Sequence, residues 1–166
     1  LVLLADAAHR HGAKISIELV HAGRGVHPEL IKSKWALAPS NFPIPGQYPY
    51  IKEMDQHDIE ETIACYVDCA KRLKRAQFDG VLVHAAHGNL LGQFLSPLTN
   101  RRSDCYGGSL ENRSRFPLMI LKAVREAVGD DFFLDMRISG DEMVESGMKI
   151  DEVIESIKMA QEYIDM

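Results

Sequence analysis

GVLVHAAHGNLLGQFLSPLTNRRSDCYGG, residues 80–108, decides the fold. Its first four residues, Gly80-Val81-Leu82-Val83, form a short, β-branched apolar run that stops on His84. Bounded by Gly80 and Gly88, the run reads as a buried strand. A second imidazole, His87, follows three residues after the first. In a parallel α/β protein, chemistry gathers where strands end. Two imidazoles at such an end are therefore candidate functional groups. The bland alternative is a pair of structural histidines, and Gly88 immediately after them favours function.

Working upstream, residues 58–75 read as a helix with Ile59, Ile63, Val67 and Ala70 on its apolar stripe. Acidic residues open it and Lys and Arg close it, as the helix dipole favours. Residues 14–20 alternate, with Ile15, Ile17 and Leu19 opposite Ser16, Glu18 and Val20, which is a strand. Residues 1–11 form a helix that Gly12 stops. Between the first strand and the helix at residue 58 lies a long loop with Pro39, Pro43, Pro45 and Pro49. Loops of that length inside a compact domain are usually functional, so a lid or binding wall is expected. Downstream, Ser109 is the expected N-cap of a helix buried through Phe116, Ile120, Val124 and Val128 and ended by Gly129. A third strand follows at 132–138, then a helix at 151–163 with Val153, Ile154, Ile157 and Ala160 inward, and 164–166 opens a further strand.

Helices and strands thus alternate, which argues for a parallel sheet with right-handed crossovers. Period-two alternation also assigns faces. Glu18 lies opposite the apolar face of its strand; Leu82 shares a face with His84, and Phe133 with Asp135 and Arg137. Three strands in succession carry an ionisable group near their C-terminal ends. Both faces of an open doubly wound sheet are covered by helices, so such charges would be costly there. At the mouth of a closed barrel they are not. The expected fold is therefore α/β, a partial (β/α)8 TIM barrel. A structural ion pair, Glu18 or Asp135 with Arg137, is the plain alternative for these charges.

Composition bounds the function. The chain has 166 residues, is 46% hydrophobic and 26% charged, and carries a formal net charge of −5. That suffices for one sizeable core and gives no reason to expect nucleic acid or a membrane as partner. A cytoplasmic protein acting on a small-molecule substrate fits, and nothing sets an oligomeric state. Cys65, Cys69 and Cys105 lack CxxC spacing, so neither a disulfide framework nor a zinc knuckle is indicated. Cys65 and Cys69, one helical turn apart, read as small buried hydrophobes. His84 and His87 with a strand-end carboxylate could instead ligate a metal, but no Cys or third His stands at a convincing spacing. No metal is therefore assigned. The chain opens without Met and stops as a strand begins, and is read as cut at both ends.

The block 84–116, HAAHGNLLGQFLSPLTNRRSDCYGGSLENRSRF, closely resembles the flavin-dependent old yellow enzyme family, in the branch of 2,4-dienoyl-CoA reductase-like enoate reductases. IELVHAGR at 17–24, FDGVLVHAAHG at 78–88 and MRIS at 136–139 agree, and the likeness runs over essentially the whole chain. It implies a (β/α)8 barrel holding FMN at the strand ends, in an enzyme that reduces activated C=C bonds with electrons from NADH or NADPH. Such barrels run to roughly 250 residues, so residues 1–166 would be the central part of one FMN-binding domain. Any 4Fe-4S cluster or FAD module of a longer parent would lie outside it, and the slice alone would be inactive. His84 and His87 would be the catalytic pair that hydrogen-bonds the substrate carbonyl oxygen, stabilising charge as hydride reaches the β-carbon. Arg137 would face the flavin N1/O2 edge. Glu18 would stand at the pyrimidine edge, where the family commonly has Gln; a carboxylate can accept from N3–H but cannot donate to O4. Asn89 would touch substrate where the common pattern has a proton-donating Tyr. Asn is no useful acid, so water or a loop tyrosine, Tyr48 or Tyr50, is the expected substitute. Residues 100–113 would be mainly architectural, with Gly107 and Gly108 turning the chain and Arg101 and Arg102 anchoring the loop.

Overall fold

The computed structural model describes residues 1–31, 34–42 and 50–166. Pro43, Pro45, Tyr48 and Pro49 fall outside the described residues. In chain order the elements are α1 (Val2–His9), β1 (Ser16–Leu19), β2 (Ala36–Ala38), β3 (Ile51–Glu53), α2 (Gln56–Arg75), β4 (Gly80–Ala85), α3 (Leu90–Leu95), α4 (Leu110–Val128), β5 (Phe133–Ile138) and α5 (Ile150–Ala160). β1, β4 and β5 form one parallel sheet in that order, with Glu18 opposite Leu82, Leu82 opposite Asp135, and His84 opposite Arg137. The alternation of helix and strand expected from the sequence is therefore present. So are the faces: Val81, Val83 and Leu134 are fully buried, with Ile17, Leu19 and Met136 packed at the edge of the same core.

That core lies between the sheet and α2, α3 and α4. Phe94 of α3 and Phe116 of α4 pack with ring centroids 4.5 Å apart, and both are fully buried. Burying one such side chain contributes roughly 1.5–3 kcal/mol. The stripe of α4 is as expected, with Phe116, Ile120, Val124 and Val128 buried. Ser109 caps it by accepting from the Asn112 amide at 3.3 Å.

Other elements differ from expectation. α2 begins at Gln56 under a reciprocal cap in which Asp55 accepts from the Asp58 amide and Asp58 accepts from the Asp55 amide. Its buried face is Ile59, Thr62, Tyr66, Ala70 and Leu73, which leaves Ile63 and Val67 half-buried. Cys65 is consequently exposed and Cys69 half-buried, not core residues, and both line a cavity of about 350 Å³ beside Leu19, His21 and Tyr66. α5 buries Val153, Ser156 and Ala160, while Ile154 and Ile157 are turned outward. The rotation follows from Ser156 Oγ meeting Ser114 Oγ at 3.2 Å, a small-residue contact that draws α5 onto α4.

The Pro-rich loop contains β2 and β3, a short parallel pair joining Ala36 to Ile51 and Ala38 to Glu53. The 88–108 connection contains α3. At its far end Arg102 anchors the loop as expected, donating to the carbonyls of Pro39 and Met54 at 3.0 and 2.8 Å. Gly107 passes so close to Arg102 that a Cβ there would lie 2.3 Å from its carbonyl oxygen. Asn100 Nδ2 bonds the carbonyls of Phe94 and Tyr106, both at 2.7 Å, so the 100–113 block is architectural as expected. Arg101 instead stacks its guanidinium 3.8 Å from the Phe42 ring centroid. Past α5, the Asp165 amide donates to Leu134 O and the Met136 amide to Met166 O. These bonds tie the chain to β5, but the strand expected from residue 164 is not formed: residues 161–166 are turn and irregular backbone.

Candidate functional site

β4 delivers His84 to its C-terminal end, buried to 6% exposure on the face opposite Val81 and Val83, which pack in the core with the helices. The strand then breaks. His87 adopts φ +55° and Gly88 φ +70°, which swings the second imidazole back over the strand end. His87 Nδ1 comes to 3.3 Å from His84 Nε2. The Ser139 hydroxyl, at the end of β5, accepts from the His87 amide at 3.2 Å and fixes that turn.

Glu18 of β1 completes the cluster. Its Oε1 accepts a short hydrogen bond from His84 Nδ1, and the Arg137 guanidinium of β5 lies 3.1 Å from the same oxygen. The His84 hydrogen bond, with the positive charge of Arg137 behind it, holds the Glu18 carboxyl below the usual carboxylate range. Of the ion pairs open to these charges, Glu18 with Arg137 is the one that forms. Four expected site residues, Glu18, His84, His87 and Arg137, thus meet in one row. Asn89 stands at the edge of the site as the residue before α3, with extended backbone and no side-chain capping bond. Tyr50 lies one residue before β3, where its ring packs edge-on against Trp35.

Gln93 was not singled out from the sequence, yet it holds the site's two loops together. Fully buried on α3, it donates to the carbonyls of Gly88 at 2.6 Å and Ala22 at 3.2 Å. Its Oε1 accepts from the Arg24 amide at 3.2 Å. Gly23 is obligatory there: its φ is +59°, and a Cβ would lie 2.4 Å from Gln93 Oε1. His21 Nδ1 accepts from the Gly23 amide at 3.0 Å, and burial pushes that imidazole below its ordinary range, so it is a neutral structural group. The signal for Gln93 was a lone amide in the apolar run LLGQFL. For Ser139 it was a hydroxyl directly after a strand.

Among the described residues no three His, Cys, Asp or Glu side chains are placed to share a metal ion. Both His84 nitrogens are engaged, one with Glu18 and one with His87. A larger cavity, about 860 Å³, opens at the opposite end of the strands beside His9, Asp79 and Phe133. It shares no lining residue with the row. No described helix is long and apolar enough to cross a membrane.

A parallel α/β sheet with imidazole, carboxylate and guanidinium converging at its strand ends is the architecture of an enzyme site. The chain belongs to the NADH:flavin oxidoreductase / NADH oxidase family, whose model matches residues 1–166. It is 46% identical over 159 residues to an NADH oxidase of Thermoanaerobacter brockii, covering 96% of this chain and 24% of that protein. It is 42% identical over 161 residues to an NADPH dehydrogenase of Geobacillus thermodenitrificans, covering 96% of this chain and 45% of that one. The structure of a 2-naphthoyl-CoA reductase with 2-naphthoyl-CoA superposes with a TM-score of 0.90 at 35% identity, over 99% of this chain and 27% of that one. The chain thus spans a quarter to under half of these relatives' lengths.

Proposed function

We propose that the chain is part of an FMN-dependent oxidoreductase that takes electrons from NADH or NADPH and reduces activated C=C bonds of enones, enoates or enoyl thioesters. In this reading β1, β4 and β5 are consecutive staves of a (β/α)8 barrel, and residues 1–166 are the central part of its FMN domain. The observation that carries it is the row Arg137–Glu18–His84–His87 on the sheet face opposite Val81 and Val83. The family membership and the names of the relatives support it.

The donor set suits a flavin pyrimidine edge, which offers one N–H among carbonyl acceptors. Glu18, held ionised, would accept from the N–H, and Arg137, half exposed on the open face, would donate to the edge that gains negative charge on reduction. Bound FMN would supply the two electrons as hydride. The residues of this chain do the rest. Arg137 offsets charge at the cofactor side. His87, whose Nε2 faces outward, orients the substrate carbonyl and stabilises the negative charge that develops on its oxygen, while His84, bonded to Glu18 and to His87, holds that ring in place. Gln93 and Ser139 keep the two imidazoles preorganised.

The test is anaerobic. The intact protein, reconstituted with FMN, is reduced by NADH or NADPH and mixed with 2-cyclohexenone, cinnamate or crotonyl-CoA while flavin absorbance is followed. Reoxidation by at least one of these alkenes is expected. A reduced flavin that none of them reoxidises overturns the reading.

A further inference from the structure

The contact between the two imidazoles fixes how many hydrogens they must hold in order to act. Glu18 is a carboxylate and can only accept, so His84 Nδ1 carries the hydrogen of their bond. That leaves His84 Nε2 facing His87 Nδ1 at 3.3 Å. Two bare nitrogens there would repel and two N–H groups would collide, so one hydrogen lies between the rings. If both rings are neutral, these two hydrogens exhaust the supply. His87 Nε2, the outward nitrogen, is then bare and can accept but not donate. For it to donate, the row must hold a third hydrogen and with it a positive charge.

We propose that Glu18 makes His84 and His87 a positively charged, two-ring proton carrier, and that this carrier supplies the proton that Asn89 cannot. The proposal rests on the alkene-reducing reading above. An activated alkene that has taken hydride at its β-carbon is an enolate. The N–H bond at His87 Nε2 breaks, its electron pair stays on nitrogen, and a C–H bond forms at the α-carbon. The hydrogen between the rings moves from His84 Nε2 to His87 Nδ1. Because His87 is exposed, solvent returns a proton to Nε2.

The charged groups on the face of His84 are Glu18 on β1, His87 after β4, and Asp135 and Arg137 on β5. Arg137 opposes an extra positive charge, but its side chain is 47% exposed while that of His84 is 8% exposed. Water screens the repulsion more than the direct carboxylate contact. Ser139 holds the His87 backbone whichever proton count obtains.

The experiment is ¹⁵N NMR of the intact, FMN-loaded protein labelled at histidine, at pH 7. Three protonated nitrogens are expected on the pair in the wild type and two in Glu18→Gln. Reduction of the variant by NAD(P)H is measured alongside, so that an altered flavin site is told apart from an altered proton step. The variant's reoxidation by 2-cyclohexenone should slow by about 10²-fold, the scale of a lost general acid, with a larger solvent isotope effect. Two neutral rings in the wild type, or an unchanged proton count in Glu18→Gln, overturns the proposal. If Glu18→Gln loses flavin, His87→Gln is read instead: the outward N–H signal should disappear and reoxidation should slow by about 10²-fold, and reoxidation at the wild-type rate would show that the carrier is not the pair. A wild type inert to every alkene sinks the functional reading, whereas alkene turnover with a neutral pair sinks this inference alone.

Discussion

His87 keeps a left-handed backbone, φ +55°, that costs a non-glycine residue roughly 1–2 kcal/mol. One hydroxyl, that of Ser139, meets its amide. Strain retained beside a functional row is expected where it aims a side chain. In the intact protein, His84→Ala or His87→Ala should leave flavin bound and slow its reoxidation by an enone by about 10²-fold, the second by removing an oxyanion donor and the first by freeing the ring that carries it. Single-turnover mixing checks this, and unchanged reoxidation would remove both from the reaction. Asn89→Tyr supplies at this position the phenol that the family resemblance implies. If the imidazole pair already supplies the proton, flavin should stay bound and reoxidation should change by less than tenfold, in H₂O and D₂O alike. A large gain would show the proton step to be uncatalysed; a large loss would place Asn89 against substrate. The site's members were legible because alternation assigns faces: Glu18, His84 and Arg137 had to share one. Their mutual bonding was not, because a face carries no register. Glu18 stands opposite Leu82, two residues short of His84, and only the strand pairing makes them diagonal neighbours.

Among the elements, α4 was readable from Phe116 to Val128 because that part of its buried face is apolar, whereas the buried Arg113 and Ser114 of its first turn gave no such signal. α2 and α5 were rotated from expectation because their contacts run through Thr62, Tyr66 and Ser156, which hydropathy ranks below Ile63, Val67 and Ile157. β2, β3 and α3 are three, three and six residues long, too short for either period to register. Asp79 shows how tightly the elements are joined where β4 begins. It takes Lys14 Nζ at 2.8 Å, His9 Nε2 at 2.8 Å and the Ile15 amide at 2.9 Å. These bonds, that of Lys14 foremost, hold its carboxyl well below the usual carboxylate range. A depressed folded value stabilises the fold above the unfolded value, about 3.9, and the gain is lost as pH falls toward the folded one. Asp79→Asn should therefore lower the thermal midpoint of the intact protein most near neutrality. The gap to wild type should close as pH drops below about 4. A gap independent of pH would assign the effect to geometry.

For the whole molecule, the described α-helices all feed one core with Val81, Val83 and Leu134 of the sheet. The opposite face of the sheet bears the ionisable row together with Phe133, 41% exposed, and the outer edge of β1 has no strand partner among the described residues. Leu3, 80% exposed, and Val20, 58% exposed, add apolar surface. An unpaired edge beside apolar surface invites association. The 166 residues expressed alone should be poorly soluble or partly folded and should not retain FMN. Size-exclusion chromatography and visible absorbance check this, and a soluble yellow monomer with stoichiometric flavin would contradict it. The row also ties the chemistry to inheritance. Glu18 comes from β1, His84 and His87 from β4 and the turn after it, and Arg137 and Ser139 from β5. Chimeras of two relatives that differ at position 18 would part the carboxylate from its imidazole whenever the crossover fell between residues 19 and 83. A crossover after residue 139 would pass the whole set on from one parent. In a shuffled library, residues 18–139 should therefore segregate as a linkage block.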